Sequence, residues 1–429
     1  MRNRLLTLLA AVCLCAASAT AVDFDRFFAD STLRLDYTFA GNADTQAIFL
    51  DQLSRMPHWY GRRARLDSVA VAGDGTVTVR AATTGEVIYR HSFSSLFQEW
   101  LSTAEAKNVS KSMENVMLVP WPRLAVDITV ELRDSRHRTI ASLSHRVDPA
   151  DILIRHIGER NTSPFVTLQT ADDKRRCIHI AYVAEGYTEA EMPQFLGHCR
   201  EAMEALFSHE PFRSMRGRFN IVAVTSPSTD SGVSDPGAGR WLNTALGSHL
   251  DTFYSKRYLT TLHLKRLHDV LAGVPYEHII ILANTDHYGG GGIYNSYNLS
   301  YTRGNRFRPV VVHEFGHSFA GLADEYPYGD DDPRYFPDVE PWEANLTTLR
   351  DFGSKWDDMI PAGTPRPTPE SADSTVHTSR VGLFEGGGYL SKGVYRPVQD
   401  CRMRTNHVGE FCPVCRRAIQ RLIDFYTIP

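Results

Sequence analysis

The stretch that most restricts the fold is FRPVVVHEFGHSFAGLADEY, residues 307–326. Pro309 suits a helix's first turn, and the apolar run VVVHEFGHSFAGL predicts a buried helix despite its β-branched start. Residues four apart on a helix share a face, so His313 and His317 can point two imidazoles at one ion. Zinc accepts neutral imidazole nitrogen readily, and its open sites usually combine three protein donors with a free position. Glu314 lies beside the first histidine, placed to take a proton from water rather than to bind the metal.

Gly321 can end or sharply bend this helix, and Asp324 and Glu325 follow within a few residues. In the metzincin pattern H-E-x-x-H-x-x-G-x-x-H, a glycine turn returns a third ligand to the metal. Here the glycine comes one residue late and the returning position is acidic. Asp324 is favoured over Glu325 as third ligand, the other being free to orient a histidine from behind. Met403, in DCRMRTNHVGEFCPVC just before a final helix, occupies the place of the methionine-bearing turn that metzincins have beneath the metal.

The N-terminus limits the compartment. Residues 1–21 hold Arg2, Arg4, the short apolar run LLTLLAAV and the small-x-small site Ala19-Thr20-Ala21. That is the pattern of a secretory signal cleaved after Ala21. No later segment is long and apolar enough to span a bilayer. An exported chain permits disulfides, and the mature part keeps Cys177, Cys199, Cys401, Cys412 and Cys415. That count is odd, so at least one thiol stays unpaired. The net charge of −4 with no long basic run argues against nucleic acid as a partner.

Residues 22–150 alternate apolar and polar side chains in STLRLDYTFAG, GTVTVRAATTGEVIYRHSF and RLAVDITVELRDSRHRTIASLSHRV. They predict an all-β sandwich. Near residue 175 the pattern changes. Strand candidates CIHIAYVAEGY, RFNIVAVTSPS and HIIILAN alternate with helix candidates EAEMPQFLGHCREAMEALFSH and SKRYLTTLHLKRLHDVLAG. This predicts an α/β layer with its sheet covered by helices. PYGDDDPRYFPDVEPWE and PAGTPRPTPESADSTVHTS read as long loops within one domain, because a helix returns at CPVCRRAIQRLIDFY.

Several other features carry weaker chemistry. Gly289–Gly292 lacks the Lys-Ser/Thr of a phosphate loop and reads as a turn before a tyrosine-rich strand, Ile293–Tyr301, either lining the cleft or lying inside the sheet. Tyr389 and Tyr395 are candidate donors to a tetrahedral oxyanion. Cys401, Cys412 and Cys415, with His407, contain the C-x-x-C half of a structural zinc site. A disulfide from Cys401 to Cys412 or Cys415 is preferred in an exported chain. Cys177 and Cys199 either pair or sit buried as small apolar groups. GDDD at 329–332 reads as a solvated acidic loop rather than a calcium site. SGVSDPG at 231–237 misses the serine-hydrolase elbow by a terminal proline and is taken only as a cleft loop.

Through HEFGHSFAGLADEY, FEGGGYLSKGVYRPVQDCRMR and FCPVC, the chain resembles the bacterial IgA-peptidase-like metallopeptidases, relatives of the metzincins. The resemblance spans roughly residues 165–429, with a β-rich domain of the kind such proteins carry in front. With the signal peptide at 1–21 and the β-sandwich at 22–150 read from the residues, it implies an α/β metzincin-like catalytic domain over 151–429. That domain would have a mixed twisted sheet, an active-site helix and a C-terminal helix. It implies an exported zinc endopeptidase, periplasmic, cell-surface or secreted, acting on protein or glycoprotein. His313, His317 and Asp324 would bind Zn2+, Glu314 would be the base, and Met403 would lie in the turn. The family's name records a substrate few members cleave and does not assign immunoglobulin A to this chain. Two other classes stand beside this one: a surface glycan- or protein-binding module on an inactive protease scaffold, and a zinc hydrolase of a non-peptide bond. The intact Glu314 separates enzyme from binder, because a binder needs no base beside its metal.

Overall fold

The computed structural model describes residues 22–327 and 334–428; the expected signal at 1–21 and the GDDD run at 329–332 lie outside them. The N-terminal part is β-rich. A short helix α1 (Phe24–Phe27) leads into β1 (Phe28–Gly41) and β2 (Gln46–Pro57). Then come β3 (Gly75–Ala81), β4 (Val87–Phe93), helix α2 (Leu96–Leu101), β5 (Lys111–Pro122), β6 (Val126–Arg133) and β7 (Thr139–Val147). Two four-stranded sheets form, ordered β5-β1-β2-β8 and β4-β3-β6-β7, where β8 is Arg155–His156. Sequence patterning missed β2 and β5. Both carry polar side chains at positions that a simple alternation would reserve for the core.

The two sheets share one apolar core, in which Phe39 stacks on Phe93 at 6.1 Å and Phe28 meets Tyr89 edge-on. Strand β1 is buried on both faces, which breaks the usual alternation. Its second face carries Arg34, paired with Asp36 and with Asp269 of the next unit, each at 2.6 Å.

The second unit is built on a six-stranded mixed sheet, ordered β13-β14-β12-β10-β11-β9. Its strands are β9 (Phe165–Gln169), β10 (Ile178–Glu185), β11 (Phe219–Val224), β12 (His278–Ala283), β13 (Gly290–Ile293) and β14 (Tyr297–Tyr301). The four inner strands run parallel, and both edges, β9 and β13, are antiparallel. Successive side chains point to opposite faces. Ile178, Ile180, Tyr182 and Ala184 therefore pack under α3 (Met192–Phe207), α5 (Phe307–Ala320) and α6 (Pro413–Thr427). Ala181 and Val183 face the other way, toward α4 (Leu264–Val270) and the core of the N-terminal sheets. A sheet covered on both sides explains why its strands read as continuous apolar runs.

Two expectations change here. The second helix occupies only Leu264–Val270, because residues 255–263 run as an extended loop bridged through Tyr258–Gly290 and Thr260–His249. Ile293–Tyr301 is not one strand: β13 and β14 form a hairpin through Tyr294–Ser296, and the glycines themselves make the sheet edge. Between α5 and α6 the described residues form only short helical turns and the hairpin β15 (Phe384–Gly387) and β16 (Leu390–Arg396), in line with the Pro, Asp and Ser content there.

Candidate metal centre and its cleft

Helix α5 is buried almost all round, and its polar side chains gather where it borders a cleft of about 1500 Å³. His313 and His317 bring their Nε2 atoms to 3.0 Å. Gly321 then ends the helix in the left-handed region (φ 58°, ψ 34°). Its N–H donates to the His317 carbonyl and that of Leu322 to the Gly316 carbonyl, so the chain doubles back over its last turn. Asp324 returns with Oδ1 at 3.0 Å from His313 Nε2 and 3.2 Å from His317 Nε2.

The other ring nitrogens are spoken for. His313 Nδ1 meets the Arg402 carbonyl at 2.9 Å and His317 Nδ1 the Leu322 carbonyl at 2.5 Å. Both rings thereby present an Nε2 lone pair to the same point. Asp324 Oδ1 is buried and lacks a properly directed hydrogen bond among the described residues, although both nitrogens are close. Three donor atoms that converge within about 3 Å of one another suit a shared cation. Bonds of about 2.0–2.1 Å at tetrahedral angles would set such donors about 3.3 Å apart, near the spacing found. The residues present fit a divalent metal of nitrogen and oxygen preference.

Electrostatics follow from this crowding. Burial pulls the His317 imidazolium down, but Asp324 and Glu314 outweigh it and push its pKa up to about 9. Burial raises Asp324, yet the two histidines hold it well below the usual carboxylate range. Burial also raises Glu314, partly offset by His313 and His317. Its carboxyl makes no hydrogen bond or ion pair with any other described residue, which leaves it available to a water in the cleft.

Strand β13 lies directly against this face. A Cβ at Gly290 would stand 2.8 Å from Glu314 Oε1, and one at Gly292 would stand 2.2 Å from the Glu314 carbonyl oxygen. The glycines are what let a strand approach the helix this closely. Below the helix, Met403 is fully buried, and a Cβ at Gly316 would stand 2.6 Å from its Sδ.

Asp324 is held from several sides. Asn345 brackets the preceding residue, accepting from the Ala323 N–H and donating to its carbonyl. The Glu325 N–H donates to the Met403 carbonyl at 2.9 Å. Tyr389 donates its hydroxyl to Asp324 Oδ2 at 2.7 Å, and Tyr326 meets the same hydroxyl at 3.1 Å. Tyr389 adopts φ 70°, a conformation unusual for a bulky residue. Opposite, Asp74, Glu99 and Arg133 of the N-terminal unit line the cleft wall.

The structure thus brings His313, Glu314, His317, Asp324, Met403 and Tyr389 together. Glu325 turns the other way, toward the cysteines. Tyr395 pairs its backbone with Thr347 and does not line the cleft. His407 is an exposed cleft residue apart from the cysteine cluster. All five described cysteines are free, so neither the disulfide from Cys401 nor a Cys177–Cys199 pair forms. The 231–237 loop packs on Gly186 and is not part of the cleft. Sequence reasoning gave no role to Tyr326 and Asn345. Tyr326 was signalled only by its position two residues beyond Asp324, which puts both on one side of an extended segment; nothing marked Asn345.

Two family models match the chain. A family model described as IgA Peptidase M64 matches residues 166–380 and 371–423, and one described as Peptidase M64 N-terminus matches residues 23–144. The chain belongs to the IgA peptidase M64 family and is a metallopeptidase. None of the curated proteins matches it.

Proposed function

We propose that the protein is an exported zinc-dependent endopeptidase of protein or glycoprotein substrates, with Glu314 as general base. We assign residues 1–21 to a signal, 22–150 to the sandwich and 151–429 to a metzincin-like catalytic domain. Export rests on the composition of the first 21 residues. The metzincin-like reading draws support from the antiparallel sheet edge, the helix ended by Gly321, and Met403 beneath it. The observation that carries the catalytic reading is the unpartnered Glu314 carboxyl beside three converging donors.

His313, His317 and Asp324 would hold the zinc, which supplies Lewis acidity at the scissile carbonyl when bound. Glu314 takes the proton of the attacking water and returns it to the leaving amine. Its burial raises its proton affinity, the direction that favours that second transfer. Tyr389 and Tyr326 keep Asp324 oriented, and the Tyr389 hydroxyl, at the cleft wall, can turn from Asp324 to donate to the developing oxyanion. From Gly291 to Ile293 the outer edge of β13 pairs with no further strand among the described residues, so an extended peptide can add there. A cleft of this size, walled by both units, suits a polypeptide better than a small ester or amide.

The test is a broad peptide library offered to the purified protein and to Glu314→Ala. Cleavage by the first, lost in the variant and with chelator, is expected. Equal cleavage by both would remove Glu314 from the chemistry, and binding without turnover by either would favour the module on an inactive scaffold.

A further inference from the structure

We propose that Cys401, Cys412, Cys415 and Glu325 hold a second divalent cation, a structural zinc, directly behind the first centre. One ligand atom from each lies within 4.8 Å of all the others, and all four residues are fully buried. Cys401 Sγ stands 3.8 Å from Cys415 Sγ, and Cys415 Sγ stands 3.4 Å from Glu325 Oε1. Zinc–sulfur bonds of about 2.3 Å at tetrahedral angles put two sulfurs about 3.8 Å apart and a sulfur and oxygen about 3.5 Å apart. A disulfide requires about 2.05 Å. The cluster has the dimensions of a coordination shell.

The surroundings favour thiolates. Cys412 caps the N-terminus of α6, and Pro413 opens its first turn. The Cys412 N–H points at Cys401 Sγ at 3.3 Å, and the Cys415 N–H at Cys412 Sγ at 3.4 Å. Backbone N–H groups and the positive helix end both stabilise negative sulfur.

A separate observation points to the missing partner. Glu325 is 0% exposed, its Oε1 accepts from Asn345 at 2.9 Å, and its Oε2 has no hydrogen-bond partner among the described residues. Burying a carboxylate oxygen with nothing to meet it is costly. A cation held by this carboxylate and the three sulfurs offsets that cost. Three sulfurs and one oxygen select zinc over magnesium or calcium. On loading, each thiol gives its proton to solvent and no electrons change hands.

The position gives the site a purpose. Glu325 follows Asp324, and Cys401 precedes both Arg402, whose carbonyl holds His313, and Met403. One ion would tie the returning loop, the methionine turn and α6 together. It would fix the first centre's third donor without touching substrate.

The test uses purified protein with no metal added. Two zinc ions per chain are expected, falling to one in His313→Ala and in Cys415→Ser. Cobalt(II) loading should give thiolate-to-cobalt charge-transfer absorption, kept in His313→Ala, lost in Cys415→Ser and strengthened in Glu325→Cys. Two histidines and an aspartate cannot produce that absorption, so the result is independent of the peptidase reading. If the cysteine variant fails to fold, alkylation of the denatured, unreduced native protein still decides, with Cys401, Cys412 and Cys415 all expected to be alkylated. A disulfide between any two of the three cysteines, or a single metal per chain with no sulfur band, overturns the proposal.

Discussion

Replacing Gly292 by alanine probes how closely the sheet edge and the active-site helix must meet. The added Cβ would stand 2.2 Å from the Glu314 carbonyl oxygen and 2.9 Å from His317 Cβ. An uncrowded carbon–oxygen contact is about 3.3–3.6 Å, so strand and helix must part by roughly 1 Å. Neither neighbour is the tip of a flexible side chain, because one is backbone and the other is anchored to the backbone of α5. Overpacking of this kind costs about 1–3 kcal/mol of stability. The larger effect falls on catalysis. A misplacement of about 1 Å costs on the order of 100-fold in rate, or about 2.7 kcal/mol of transition-state stabilisation. The assay is kcat/KM on a peptide the wild type cleaves, read with the thermal midpoint and the metal content. Gly409→Ala is the control, since a Cβ there meets nothing within 4 Å. Gly292→Ala with wild-type kcat/KM would show that the contact between β13 and α5 does not position Glu314, and the reasoning would fail.

Other expectations follow from neighbouring contacts. Tyr389→Phe removes the hydrogen bond to Asp324 Oδ2; metal affinity or activity should fall about 10–100-fold, measured by chelator competition beside kcat. In the metal-free protein the pKa of His317 is raised to about 9, against an unfolded value of about 6.5. A raised value stabilises fully below pH 6.5 and is lost as pH climbs through 9, so that contribution, on the order of 3 kcal/mol, should fade over this window. Melting of chelator-treated protein across pH 6–10 tests it, and Asp324→Asn should flatten the decline. Arg34→Ala strands the buried Asp36 at the junction of the two units; a loss of about 3–5 kcal/mol is expected in denaturant melts, and an unchanged midpoint would show that the junction does not depend on this pair.

How much of this was readable beforehand depends on the range of the interactions. Placing His313 and His317 on one face needs only the pitch of a helix, and ending that helix at Gly321 needs only the conformational freedom of glycine. The inner strands announced themselves as apolar runs because both faces of the sheet are covered. The helix expected over 255–273 shrank because long-range bridges to His249 and Gly290 hold half of it extended. β13 was hidden because three glycines carry no strand signal; its existence depends on the helix lying against it.

Sequence alone determined the chemistry on offer: two imidazoles and a carboxylate on one helical turn, two acids just beyond its end, and three cysteines near the C-terminus. Tertiary structure decided how they were shared. Asp324 and Glu325 are neighbours with the same functional group, and no local rule ranks them. In the structure the two leave on opposite sides, Asp324 toward His313 and His317 on α5 and Glu325 toward Cys415. Which faces which was set by Asn345, the Met403 carbonyl and Tyr389, contributed by segments 20 to 80 residues further along the chain.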